Sequence, residues 1–168
     1  MNSEEFTRLV LDAEPTLYHI SKSILKNDHD CADAVQEAII KAFGSLTTLK
    51  NPEFFKTWLC RILINECYRI CKKSSRTVSY EEYMQGESAP DAVVQNTELY
   101  AALMKLTEKE RLAVVLHYIE GFKVHEVARI LKIPDGTVKS RLSKARAELR
   151  IFLSEEEYNL ESKPHKCG

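Results

Sequence analysis

GFKVHEVARILKIPDGTVKSRLSKARAELRIF, residues Gly121 to Phe152, reads as two short helices around a tight turn. In the first, Val124, Val127, Ala128 and Leu131 fall at i, i+3, i+4 and i+7, one apolar face of a helix. Lys132-Ile133-Pro134-Asp135-Gly136 breaks the period, because Pro134 has no amide hydrogen and fixes its own φ. A second helix follows, with Val138, Leu142, Ala145 and Leu149 inward. Its other face carries Lys139, Ser140, Arg141, Lys144, Arg146 and Arg150. This is the sequence shape of a helix-turn-helix whose second helix enters a DNA major groove.

On spacing alone, two amphipathic helices and a turn suit any all-α protein, and a basic face is commonly just solvated. Two details favour DNA. Between Gly121 and Leu153, Lys and Arg outnumber acids eight to three, whereas the whole chain carries a formal charge of only −1. Gly136 and Thr137 are small, so the second helix can bring its N-terminal dipole close to a phosphate.

The length, 168 residues, suits one domain or two small ones. No apolar run approaches the roughly 20 residues that span a bilayer. The acidic start MNSEEFTRLV has neither the basic region nor the apolar stretch of a secretory signal, so a soluble cytoplasmic protein is expected. Five cysteines, an odd number, do not form a disulfide framework. Cys67 and Cys71 would share a helix face, but no His or Cys stands near them at zinc-finger spacing, and neither metal nor cofactor is expected.

The rest of the chain is also helical by pattern. Ser3 can cap a helix to about Ala13, and Pro15 can open a second through about Lys26. A third covers about Cys31 to Phe43, ended by Gly44. Asn51 and Pro52 start a long fourth helix with Phe55, Leu59, Ile62 and Leu63 inward and Trp58 beside them. From Lys56 to Arg76 six basic residues face one acid, whereas Thr77 to Glu98 holds five acids and no Lys or Arg. That contrast marks residues 76–97 as an acidic flexible linker between domains at 1–75 and 98–153. The second domain opens with a helix from about Glu98 to Leu106. A capping box of Thr107 and Glu110 follows, then a helix carrying Leu112, Val115, Leu116 and Ile119 inward to Gly121. Residues 154–168 lack periodicity and read as a mobile tail. The fold class is all-α: two small helical domains, the C-terminal one a helix-turn-helix.

DAVQEAIIKAF (Asp33 to Phe43) followed by FFKTWLCRILIN (Phe54 to Asn65) resembles the promoter-melting domain of bacterial extracytoplasmic-function sigma factors. LTEKERLAVVLHYIEGFKVHEVARILKIPDGTVKSRLSKARAEL resembles their C-terminal promoter-binding domain. The resemblance covers nearly all of residues 3–153, with both blocks in the family's order. It implies that Asp33, Gln36, Glu37, Ile40 and Lys41 dock on a coiled coil of core RNA polymerase. It also implies that Asn65 holds a flipped base of the −10 element, with Arg61, Arg69, Lys72 and Lys73 along the phosphates. Lys139, Ser140, Arg141 and Ser143 would meet the −35 element, and Lys144 and Arg146 the phosphates. The implied partners are core RNA polymerase, promoter DNA and an anti-sigma factor, in this family often membrane-anchored. The chain departs from the pattern at Pro134, where relatives usually carry a small hydroxyl, so that Asp135 is left to complement the helix dipole.

Two other readings compete. A helix-turn-helix regulator would use only the C-terminal domain, with the N-terminal half as an interaction module; it has no need of the basic, aromatic helix Phe54 to Lys73. An enzyme would need a nucleophile–base pair, a Gly-rich phosphate loop or paired carboxylates, and no such motif stands out.

Overall fold

The computed structural model describes residues 1–77 and 97–161, with side chains for 1–74 and 98–155. Almost all of the expected linker, and residues 162–168 of the expected tail, lie outside them. The described residues form helices and turns without a strand. We label the α-helices α1 (Ser3–Ile24), α2 (Asp28–Gly44), α3 (Phe55–Thr77), α4 (Thr97–Lys105), α5 (Glu108–Val114), α6 (Val124–Leu131) and α7 (Asp135–Glu161).

In the N-terminal unit α1, α2 and α3 pack on one another. α1 is a single helix, not the two expected, and Asn2 rather than Ser3 caps it, accepting from the Glu5 amide. Pro15 removes one intrahelical bond, an interruption that costs about 3 kcal/mol. Burial of Phe6, Ala13, Leu17, Ile20 and Ile24 along one face keeps the helix whole across it. α2 is capped by Asn27 and begins at Asp28, earlier than expected. Its buried face is Cys31, Ala34, Ala38 and Ala42, small side chains that let its backbone lie close to α3. A 3₁₀ turn, Pro52–Phe54, capped by Asn51, leads into α3. Phe55, Leu59, Cys60, Leu63 and Cys67 line the inner face of α3, and Trp58 lies partly buried against them.

In the C-terminal unit α4, α5 and α6 pack around α7. The expected capping box is present: Glu110 N donates to Thr107 Oγ1 at 3.4 Å, and Thr107 N to Glu110 Oε2 at 3.3 Å. Beyond α5 the chain widens into a π turn, Val115–Ile119, closed by Glu120 N donating to Val115 O. The extra residue shifts the helical phase. Leu112, Val115 and Leu116 remain buried as expected, whereas Ile119, expected inward, is 46% exposed. Gly121, at φ +75°, supplies the left-handed residue that ends the turn. α6 ends on Lys132, itself left-handed, so the helix-turn-helix break begins two residues before Pro134. α7 starts at Asp135, with the Pro134 carbonyl accepting from Val138 N, and runs past Ser154 to Glu161, where a tail without structure was expected.

The two units are closed on each other, α1 against α5 and the π turn, and α3 against α6. Glu120 sits in this seam with its side chain 8% exposed. Its Oε2 accepts from Thr16 Oγ1 at 2.6 Å, and its Oε1 from His19 Nδ1 at 2.5 Å. The buried Arg111 donates Nε to the Ser23 carbonyl at 2.8 Å. Lys56 lies over the Phe122 ring and Arg129 over the Phe54 ring. Among the described residues, no helix is long and apolar enough to cross a membrane.

Candidate nucleic-acid interface

Three surfaces hold the side chains that the sequence singled out. On α2, Asp33, Gln36, Ile40 and Lys41 are exposed and Glu37 half-buried, forming a stripe opposite the buried alanines. Phe43, absent from the expected set, extends the apolar end of that stripe; it is 53% exposed, with its ring against Phe6. Its i, i+3 relation to Ile40 is a signal that could have flagged it. Asp33 lies 3.7 Å from His29, a solvated pair. Lys41 is different: its Nζ donates to Glu66 Oε1 on α3 at 2.6 Å and stands 3.8 Å from Glu37.

On α3, Arg61, Asn65 and Arg69 follow at i, i+4 and i+8, all exposed, and Lys72 and Lys73 continue the exposed surface. Asn65 sits in mid-helix and outside the core, so neither capping nor core satisfaction accounts for it. Arg69 Nε donates to Glu66 Oε2 at 2.7 Å. Burial raises the Glu66 carboxyl, but the bonds from Lys41 and Arg69 outweigh it and hold the pKa below the ordinary glutamate value.

On α7, Lys139, Ser140, Ser143, Lys144 and Arg146 are exposed and Arg141 is half-buried. Ser140 Oγ turns back to the Gly136 carbonyl at 2.9 Å. Lys144 Nζ lies 2.9 Å from Glu110 Oε1, joining α7 to the capping box of α5. Burial raises the Glu110 carboxyl, and Lys144 and Thr107 bring it below its ordinary value. Arg146 Nη1 donates to Tyr118 Oη at 2.6 Å. The sequence reading missed Glu66 and Glu120, and it gave Glu110 only as a capping-box partner, not as the carboxylate that Lys144 meets. As isolated acids in helical segments, Glu66 and Glu120 look like any solvated glutamate.

The family models match in the same order as these surfaces. Sigma-70 region 2 covers residues 9–77, and sigma-70 region 4 covers residues 96–149. The RNA polymerase sigma factor SigV of Bacillus subtilis (strain 168) is 31% identical over 150 residues, spanning 88% of this chain and 90% of that protein. The chain belongs to the extracytoplasmic-function sigma factors. ECF RNA polymerase sigma factor SigW of the same strain is also 31% identical, over 166 residues, with 89% of each chain covered. Among solved structures, the sigma factor RpoE in complex with the anti-sigma factor NepR from Bartonella quintana superposes with a TM-score of 0.78. It is 26% identical, covering 90% of this sigma factor and 98% of that chain. CnrH in complex with the cytosolic domain of CnrY gives a TM-score of 0.70 at 25% identity, covering 92% and 90%. Sigma factors are transcription initiation factors rather than enzymes, and membership sets aside the reading as a simple helix-turn-helix regulator.

Proposed function

We propose that this sigma factor docks on core RNA polymerase through the outer stripe of α2, holds the opened −10 element along α3, and reads the −35 element with the first turns of α7. The row Arg61, Asn65, Arg69 on one exposed face carries the reading. An amide that can both donate and accept stands between two cations, which suits capture of an unstacked base on a phosphate track. At α7, Lys139, Arg141 and Ser143 are the base-reading candidates, and Ser140, bonded to its own helix, is the weakest of that set. Lys144 and Arg146 each engage a side chain of their own unit as well as facing outward, so any phosphate contact they make competes with Glu110 or draws on Tyr118.

The closed seam bears on this reading. Elements at −35 and −10 lie about 25 base pairs apart, roughly 85 Å of duplex at about 3.4 Å per step. A compact chain of this size has a radius of gyration of about 15 Å. Closed, it reaches one element at a time, so the seam opens when both are bound. RpoE is solved with its anti-sigma factor NepR. By extension an anti-sigma factor, often membrane-anchored in this family, holds the present chain in the cytoplasm until a signal releases it. Run-off transcription with purified core polymerase tests the whole reading. Addition of the chain should yield promoter-specific transcripts, and an Arg61→Ala/Arg69→Ala variant should lose them on duplex templates. A double variant as active as wild type would refute the α3 assignment.

A further inference from the structure

Glu66 is buried, at 5% exposure, on a helix whose outer face is basic. Exposed ion pairs one turn apart are commonly too weak to fix a long side chain. This one differs, because the carboxylate is held from a second helix. Oε1 takes the ammonium of Lys41 from α2 at 2.6 Å, and Oε2 takes Arg69 Nε at 2.7 Å. Both oxygens are engaged and the carboxylate has little room to turn. Among the described residues Arg69 is gripped at Nε alone, which leaves the two terminal amino groups of its planar fork for an outside partner. Its side chain is 53% exposed and it stands one turn from Asn65.

We propose that Glu66 is a positioning residue for −10 capture: clamped by Lys41, it sets the Arg69 fork beside Asn65 to meet the phosphate of the captured nucleotide. This rests on the −10 reading of α3 given above. Fixing the guanidinium in advance removes rotamer entropy that binding would otherwise have to overcome. The arrangement also gives Lys41 a different role from direct polymerase contact: it braces the docking helix against the DNA helix.

The sign of the effect separates positioning from simple charge. Removing a negative charge from a basic DNA-binding face would by itself tighten binding of a polyanion. Positioning requires the opposite. Holoenzyme is assembled at saturating sigma factor from wild type, Glu66→Gln, Arg69→Ala and the double variant. Each is titrated with a fluorescent single-stranded DNA selected on wild-type holoenzyme from a randomised pool, and with a −35 duplex selected in the same way. Glu66→Gln should weaken the single strand about three- to tenfold and leave the duplex unchanged. On the Arg69→Ala background it should cause no further loss, the non-additivity expected when one residue acts through another.

Single-strand affinity equal to or tighter than wild type overturns the proposal, as does the same loss with and without Arg69. A proportional drop in single-strand, duplex and core-polymerase binding also overturns it, by showing a merely structural role. If Arg69→Ala itself binds the single strand as wild type, the −10 reading of Arg69 fails, and that outcome is distinguishable from failure of the positioning step. Should Glu66→Gln not fold, Lys41→Gln removes the brace at a side chain 45% exposed and must show the same dependence on Arg69.

Discussion

Replacing Glu120 with alanine removes the carboxylate from the seam between the two units. The Glu120 side chain is 8% exposed and its two oxygens accept from Thr16 and His19. Hydrogen bonds to a charged group contribute about 1.5–3 kcal/mol each. His19 is 28% exposed and regains water when its partner leaves, so its share falls at the low end. Thr16 is only 4% exposed, and its hydroxyl is stranded unless water enters the space left by the side chain. Together these set the loss at about 2–4 kcal/mol, a roughly 30- to 700-fold shift from closed to open. Arg111 on the Ser23 carbonyl and the two cation–ring contacts remain, so the seam is weakened rather than abolished. The assay is small-angle X-ray scattering of the free full-length chain through a urea series below its unfolding transition, with circular dichroism to confirm intact helices. Glu120→Ala should expand at lower urea than wild type. Because α3 packs on α6 of the helix-turn-helix in the closed form, it should also bind a −35 duplex more tightly in the absence of polymerase. Superimposable scattering and equal duplex affinity throughout the series would refute the reasoning.

Four further outcomes are expected. Asn65→Ala should be severely defective on duplex promoters and partly rescued when the −10 region is premelted by mismatch, because the amide acts only after a base leaves the stack; equal defects on both templates would count against it. Charge reversal at Asp33 and Glu37 should abolish association with core polymerase while shifting the melting temperature by less than about 2 °C, since both carboxylates reach solvent and solvent-screened pairs of this kind contribute only tenths of a kcal/mol. Glu110→Gln should lower the stability of the C-terminal unit modestly at neutral pH, through loss of the Lys144 pair and of negative charge at the helix N-terminus, since glutamine still serves the capping box. The folded carboxyl titrates below its unfolded value of about 4.3. The stabilisation is therefore complete above that pH and fades as pH falls through the folded value, so the gap between variant and wild-type melting curves should close in acid. In the native protein Cys60 and Cys67 should resist a thiol reagent at pH 8, because both are buried and burial raises both thiols, Cys60 to about 12; rapid labelling of either would show the N-terminal core to be open.

Local order was legible in the chain because its causes are local. The three-to-four-residue period of Val124, Val127, Ala128 and Leu131 reports an apolar helix face wherever that helix docks. The Thr107–Glu110 box satisfies backbone donors within one turn and needs nothing from the rest of the molecule. The order of the two basic units likewise came from sequence, and with it the family and the exposed rows on α2, α3 and α7. What periodicity leaves open is the identity of a partner. Pro15 marked a helix start until burial of Leu17 and Ile20 held α1 together across it. Ile119 belonged to the inward stripe until the π turn rotated it outward and left Glu120 in the seam. Glu66 and Glu120 carry the same limitation: a glutamate reads the same in sequence whether its carboxylate meets water, a hydroxyl or a cation. Glu66 found Lys41 25 positions away, and Glu120 found Thr16 104 positions away. Pairings at such range depend on how helices pack in space, and only the tertiary structure decided them.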